Sequence, residues 1–360
     1  MGHREVNGRD KTLDYLRGFA MLQVIVVHVL YWAGFFSSPY INYAKSFCLF
    51  EMPVFFFVTG ASTLHSRYVT YADFVQRRFL KMLIPYWVFA VICAFLSIAK
   101  YIFVDNQRDV AYLCKVFISW MIPINRQITS ISYLTWALWF IPVYLCIVLF
   151  IPFMRYTKHK YELGAFLVVA FCATVIFDLG WIRYVFFYLI WVFAGLFYEK
   201  IKALSFDDNA RKKLVLIAVI LLIIQFGLKA YGYSLDMQRN KFPPNITFLI
   251  YSILIVSLII YNLKMLACFF DKASQNRILE KMIRSFSTQS TTIFLYQVFA
   301  FNVTIRLSHL LIASDSVLAS IAKAVLCFTI TVPLCYMFSL IFGGIEKWPN
   351  IWLNKGKSNG

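Results

Sequence analysis

Ten apolar runs, each about the ~20 residues a helix needs to cross a ~30 Å hydrocarbon core, recur along this 360-residue chain. They fall at 13–32, 46–64, 82–104, 134–154, 162–179, 182–199, 213–231, 247–266, 289–311 and 317–342. A soluble fold of this length has nowhere to put them, since 61% of the residues are hydrophobic and only 14% are charged. In lipid every backbone N–H and C=O must be satisfied within the protein, so the runs predict helices. The fold class that follows is all-α: a polytopic integral membrane protein of about ten transmembrane helices. The weaker stretch at 110–123, interrupted by Lys115, is expected at the interface or as a re-entrant element.

Charge placement supplies a topology. With an even number of spans and both termini cytoplasmic, the inner segments hold 24 of the 35 Lys and Arg, the bias that positive-inside orientation produces. The net charge of +18 therefore does not imply nucleic acid, because the basic residues form short groups between apolar runs and no single basic face. Membrane lipids with acidic headgroups are the expected electrostatic partner. The longest loop is about 25 residues, so 1–360 reads as a single membrane domain with nothing appended. The basic N-terminal stretch leads into a run that contains ionisable residues and is followed by no small-residue cleavage site, so that run is expected to be a retained span. The eight cysteines show no CxxC and no Cys/His metal spacing; they are expected as buried small hydrophobes, and no metal site is expected.

Ionisable residues inside the runs single out the chemistry, since one at the middle of a span costs at least ~2.5–3.5 kcal/mol on insertion scales. The first run, LDYLRGFAMLQVIVVHVLYW, carries Asp14, Arg17 and His28. Eleven residues are about three helical turns, so these three line one stripe with His28 ~16 Å beyond Arg17. Two readings stand for each polar residue. Arg17 either snorkels from the inner end or serves a function, and His28 is either a hydrogen-bonded core histidine or a catalytic one. In the second run, EMPVFFFVTGAS, Glu51 near the outer end is an interface residue or, pointing inward, the carboxylate nearest in sequence to orient His28. The loop entering the third run, DFVQRRFLKMLIPYW, places Arg77, Arg78 and Lys81 at the cytoplasmic boundary, a positive-inside cluster that with Arg17 also suits phosphates. Pro85 then marks a helix start or kink. Gly-rich phosphate loops, a GxSxG elbow and HExxH are absent.

The R-x10-H pair of Arg17 and His28 within LDYLRGFA resembles the first span of the membrane acyltransferase-3 family, which includes O-acetyltransferases of bacterial surface polysaccharides. MPVFFFVTG is similar to that family's MPxFFFxSG segment, RRFLKMLIPYW to its RxxR boundary and ALWFIPVYL to its LWFLP segment. NKFPPN resembles the FPP stretch of fucose O-acetylase-like members. The resemblance implies a multi-pass protein of a bacterial cell membrane that moves an acyl group, usually acetyl, from cytoplasmic acetyl-CoA to a hydroxyl of a cell-surface or lipid-linked glycan. Acyl-CoA is then a donor substrate, with no permanently bound cofactor. His28 corresponds to the essential histidine and Arg17 to its partner, while Arg78 and Lys81 occupy the RxxR positions, Lys81 losing the bidentate bonding of arginine. Arg17, Arg77, Arg78 and Lys81 are the expected acyl-CoA phosphate ligands, and Asp14, Glu51 and Tyr296 are the expected supporting residues of the site. Where the family has S-x-x-x-Y-L-x-H, this chain has STTIFLYQ, with Phe294 and Gln297 at the Tyr and His places and Tyr296 as the substitute to consider. The competing class is a transporter or flippase for a lipid-linked glycan, with the intramembrane charges lining its path. Such folds commonly repeat internally, and no repeat is visible here.

Overall fold

The computed structural model describes residues 10–32, 39–66, 70–124, 126–314, 316–349, 351 and 353. Among them it is all-helical. In chain order the helices begin with α1 (Lys11–Trp32), α2 (Pro39–Ser46), α3 (Glu51–Leu64), α4 (Tyr71–Phe103), α5 (Val110–Met121) and α6 (Phe140–Tyr156). There follow α7 (Lys160–Ile176), α8 (Ile182–Gly195), α9 (Tyr198–Leu204), α10 (Asp208–Ala230) and α11 (Met237–Lys241). The last five are α12 (Ile246–Tyr261), α13 (Leu263–Ala273), α14 (Arg277–Thr288), α15 (Ser290–Leu311) and α16 (Val317–Phe342).

Each predicted run lies on helix over most of its length, but the boundaries differ for local reasons. The third run was expected to start at 82, whereas α4 starts at Tyr71, where the Thr70 hydroxyl accepts from the Asp73 amide at 3.1 Å and caps it. At ~50 Å, α4 is longer than the hydrocarbon core, so its polar first turns extend beyond the apolar run. RRFLK is therefore helix and not loop, and Pro85 sits inside the helix and not at its start. The fourth run begins late, at Phe140, with Pro142 in a first turn that needs no amide hydrogen there. Left-handed backbone at Asp178 (φ 49°) and Gly180 (φ 50°) separates α7 from α8. Two expected spans are bent pairs, α8 with α9 by 65° and α12 with α13 by 61°. By length and composition, five helices among the described residues can cross a membrane, or seven if each bent pair is one span.

The chain divides into two compact units. The first comprises Met1–Arg67, Phe153–Thr288 and Ser314–Phe328. Its tightest contact is between α3 and α8, where a Cβ on Gly60 would lie 2.0 Å from the Val192 carbonyl oxygen and one on Gly195 would lie 2.1 Å from that of Phe57. Phe56 stacks on Tyr188 across the same contact at 4.4 Å. One end of α1 is fixed by Asp10, whose carboxylate accepts from the Thr12 amide (2.8 Å), Lys202 Nζ (2.6 Å) and the Tyr198 hydroxyl (3.0 Å). The second unit comprises Tyr68–Pro152, Gln289–Ala313 and Thr329–Gly360. There α5 packs on α4, with the Tyr86 hydroxyl donating to the Trp120 carbonyl at 2.7 Å. A 3-10 turn at Gly343–Lys347 brings buried Glu346 to accept from the Thr292 amide at 2.7 Å and its hydroxyl at 2.8 Å. The cysteines only partly meet expectation: Cys93, Cys327 and Cys335 are buried, Cys48, Cys146 and Cys172 half-buried, and Cys114 and Cys268 exposed because they face away from helix contacts.

Two predictions follow from these contacts. Gly60→Ala or Gly195→Ala drives a methyl into a backbone carbonyl, so each is expected to destabilise the protein by at least the ~1–3 kcal/mol of an overpacked core, measured as the unfolding midpoint in detergent. Burial pushes the Asp10 carboxyl up, but Lys202, the Thr12 amide and Tyr198 outweigh it and hold it below its ordinary value of 3.8. Its stabilising contribution is complete above that value and is lost as pH falls through the lowered one. Asp10→Asn is expected to lower the melting temperature at neutral pH and to converge with the unsubstituted protein in acid strong enough to protonate the carboxyl.

Candidate active site

Helix α1 is unbroken from Lys11 to Trp32, so Asp14, Arg17 and His28 do share one stripe. Near its N-terminal end Arg17 Nη1 lies 3.9 Å from Asp14 Oδ1, and both side chains keep about a fifth of their surface exposed (21% and 24%). Ser287 on α14 donates to the same Asp14 oxygen at 3.2 Å. Gly18 lets this helix come close, the Ile283 carbonyl oxygen lying 3.4 Å from where a Cβ would stand. Next to Arg17's neighbours, the Tyr15 hydroxyl donates to Asp271 at 2.7 Å. Three turns on, His28 is half-buried. Between the two, Gln23 Nε2 donates to the Cys48 carbonyl at 2.8 Å and ties α1 to the segment that starts α3.

Glu51, expected as an interface residue or an orienting carboxylate, is buried at 3% exposure and paired with Lys241, which is buried equally. Lys241 ends α11 in the NKFPPN segment. That loop is braced by its own asparagines: Asn240 Nδ2 donates to the Ser234 carbonyl at 2.7 Å, Asn245 Nδ2 to Asn240 Oδ1 at 2.8 Å, and the Asn245 side chain accepts from the Phe248 amide at 3.0 Å to cap α12. The Met237 amide donates to Ser46 Oγ at 2.9 Å and docks the loop beside the start of α3. Lys241 is the residue that the sequence reading missed. Its only sequence signal is that it lies outside the inner basic clusters and directly before an apolar Phe-Pro-Pro.

In the second unit Arg77, Arg78 and Lys81 come together on the first turns of α4. Arg77 Nε bonds Asp73 Oδ1 at 2.9 Å, the Arg78 guanidinium lies 5.6 Å from the Phe74 ring centre, and Lys81 is exposed. Pro85 cannot donate to the Lys81 carbonyl one turn back, which leaves a carbonyl among these cations. Tyr296 sits within α15, stacked on Phe342 at 4.2 Å and edge-on to Phe89 at 5.5 Å, with its buried hydroxyl lacking a hydrogen-bond partner among the described residues.

The described residues contain one grouping with metal-ligand chemistry, Asp10, His65 and Glu199, whose ligand atoms lie within 4.8 Å of one another. Sequence spacing did not reveal it because three different elements supply the residues. Lys202 and Tyr198 already occupy the Asp10 carboxylate, and His65 Nε2 lies 3.3 Å from Glu199.

The chemistry available is thus a half-buried imidazole on the same helix as a guanidinium, a neutralised buried ion pair nearby in the first unit, and a basic helix start in the second. A family model described as an acyltransferase domain matches residues 10–340. No curated protein and no solved structure matches the chain significantly. The matched stretch runs from the residue that caps α1 into α16 and includes all the candidate residues named above. The chain belongs to the membrane acyltransferase-3 family and is a multi-pass membrane enzyme that transfers acyl groups other than aminoacyl groups.

Proposed function

We propose that this enzyme moves an acetyl group from cytoplasmic acetyl-CoA to a hydroxyl of a cell-surface or lipid-linked glycan in a bacterial cell membrane, with His28 as general base. The observation that carries the reading is the placement of Arg17 and His28 on one continuous helix, about three turns apart. Of the other histidines, His65 caps the end of α3, His159 precedes α7 and His309 lies in the last turn of α15, whereas His3 lies outside the described residues. His28 is therefore the histidine set within the body of an apolar helix among the described residues.

The groups suited to the donor's phosphates are Arg17 in the first unit and Arg77, Arg78 and Lys81 in the second, guanidinium being favoured by its bidentate geometry. The ~16 Å along α1 matches a long, thin thioester arm reaching toward His28. His28 accepts the proton of the acceptor hydroxyl as its oxygen bonds to the thioester carbonyl carbon, and the carbon–sulfur bond then breaks. The thiolate leaves and takes the proton from His28, so the products are an ester and free coenzyme A. Asp14 keeps Arg17 in place from one turn back at 3.9 Å.

General-base contributions of ~10²–10⁴-fold set the expected loss for His28→Ala. In lipid nanodiscs, thiol release from acetyl-CoA dependent on added glycan is expected to fall by that factor, while Arg17→Ala raises the KM for acetyl-CoA. A folded, inserted His28→Ala protein that transfers acetyl at the unsubstituted rate overturns the mechanism.

A further inference from the structure

We propose that the buried pair Glu51–Lys241 and the tyrosine hydroxyls around it form the subsite for the acceptor, specific for an uncharged, hydroxyl-rich saccharide; this rests on the acetyl-transfer reading above. Glu51 Oε1 is taken by Lys241, whereas Oε2 is buried and has no hydrogen-bond partner among the described residues. A buried carboxylate oxygen without a donor is costly, which points to a donor brought by a ligand. The hydroxyls of Tyr31 and Tyr251 are likewise buried without a partner. Ser46 beside the first and the Leu49 backbone beside the second stop short of hydrogen-bond geometry. Tyr31 and Tyr251 both lie within electrostatic reach of Glu51, so the three unsatisfied oxygens belong to one place.

Charge balance selects the class of ligand. Glu51 and Lys241 cancel, and the nearby Lys45, which sits 4.8 Å from the centre of the Tyr31 ring, shares Asp236 with the exposed Arg239. A phosphate or carboxylate brings only acceptor oxygens and negative charge to the buried Glu51 Oε2, which needs a donor. A neutral polyol donates to Oε2 and both donates to and accepts from the tyrosine hydroxyls. The position fits as well: Tyr31 lies three residues beyond His28 on α1, one turn along the same face. A saccharide hydroxyl held against Tyr31 is thereby brought to the end of the helix where the base stands.

The test uses the full chain in nanodiscs and measures binding of methyl α-L-fucopyranoside, methyl α-D-glucopyranoside and methyl β-D-galactopyranoside by thermal shift, with gluconate as the charged polyol. At least one glycoside is expected to stabilise the protein and gluconate is not. Glu51→Gln and Tyr251→Phe are each expected to weaken glycoside binding at least tenfold. Tyr251→Phe deletes one oxygen and keeps the ring, so it reports on the subsite even if Glu51→Gln fails to fold around an unpaired lysine. The proposal is overturned if no glycoside binds, in which case water alone fills the site. It is also overturned if gluconate binds as well as the glycosides, or if the variants bind as tightly as the parent. Acetyl transfer is scored separately. A bound glycoside that receives no acetyl refutes the transfer reading and leaves the subsite standing, whereas transfer with an unchanged glycoside KM in both variants refutes the subsite alone.

Discussion

Hydrocarbon offers a polar group no partner, and this constraint shapes the protein at every scale. It makes the described residues helical, and it turns side-chain hydroxyls back on their own helices: Thr59 donates to the Phe55 carbonyl at 2.9 Å, Ser97 to Cys93 at 2.8 Å and Ser252 to Phe248 at 2.7 Å. It also removes the hydrophobic drive for helices to associate within lipid, so close packing has to supply the adhesion. Gly60 and Gly195 provide it by letting the backbones of α3 and α8 touch. That contact fixes Phe56 on Tyr188, and so sets where the N-terminal turn of α3, with Glu51, stands relative to α8.

Within this scheme the Glu51–Lys241 pair is an expensive feature. Desolvating two charges offsets most of their attraction, and apolar residues of similar volume would commonly serve stability as well or better. Removing one partner alone costs ~3–5 kcal/mol, because the other is then a bare buried charge. Stability by itself therefore gives little reason for the pair, and the orphaned Glu51 Oε2 gives a second argument for a role beyond packing. The braced NKFPPN loop has the same logic, since a lysine delivered into a protein interior needs a rigid carrier.

What the sequence made legible follows from the same energetics. Apolar runs of span length announce helices because length and composition alone decide them, and Arg17 and His28 stand out because charge within such a run is costly. The breaks after Gly195 and at Asn262 stayed hidden because both halves of each pair remain helical and the bend is a matter of packing. Thr70 and Asp73 did carry the cap that starts α4, but the basic residues that follow drew that stretch into a loop. Lys241 was illegible for a different reason. A lysine between two spans costs nothing by position, and its burial exists only once the loop has folded back onto α3.

The two ends of α1 handle charge in opposite ways, and the difference bears on which substrate each can serve. Around Asp14 and Arg17 the side chains stay partly hydrated, so an anionic ligand can exchange there without stripping a buried ion. Beyond His28 the Glu51–Lys241 pair is neutral and sealed, and the oxygens left unsatisfied around it among the described residues include one carboxylate oxygen and two hydroxyls. Coenzyme A carries phosphates, and a sugar hydroxyl carries no charge. On the reading proposed above, the difference in burial and hydration points the donor to the N-terminal end of α1 and the acceptor to the C-terminal end. That assignment holds whichever way the helix crosses the membrane, and it leaves His28 between the two substrates, where a base that takes a proton from one and returns it to the other has to be.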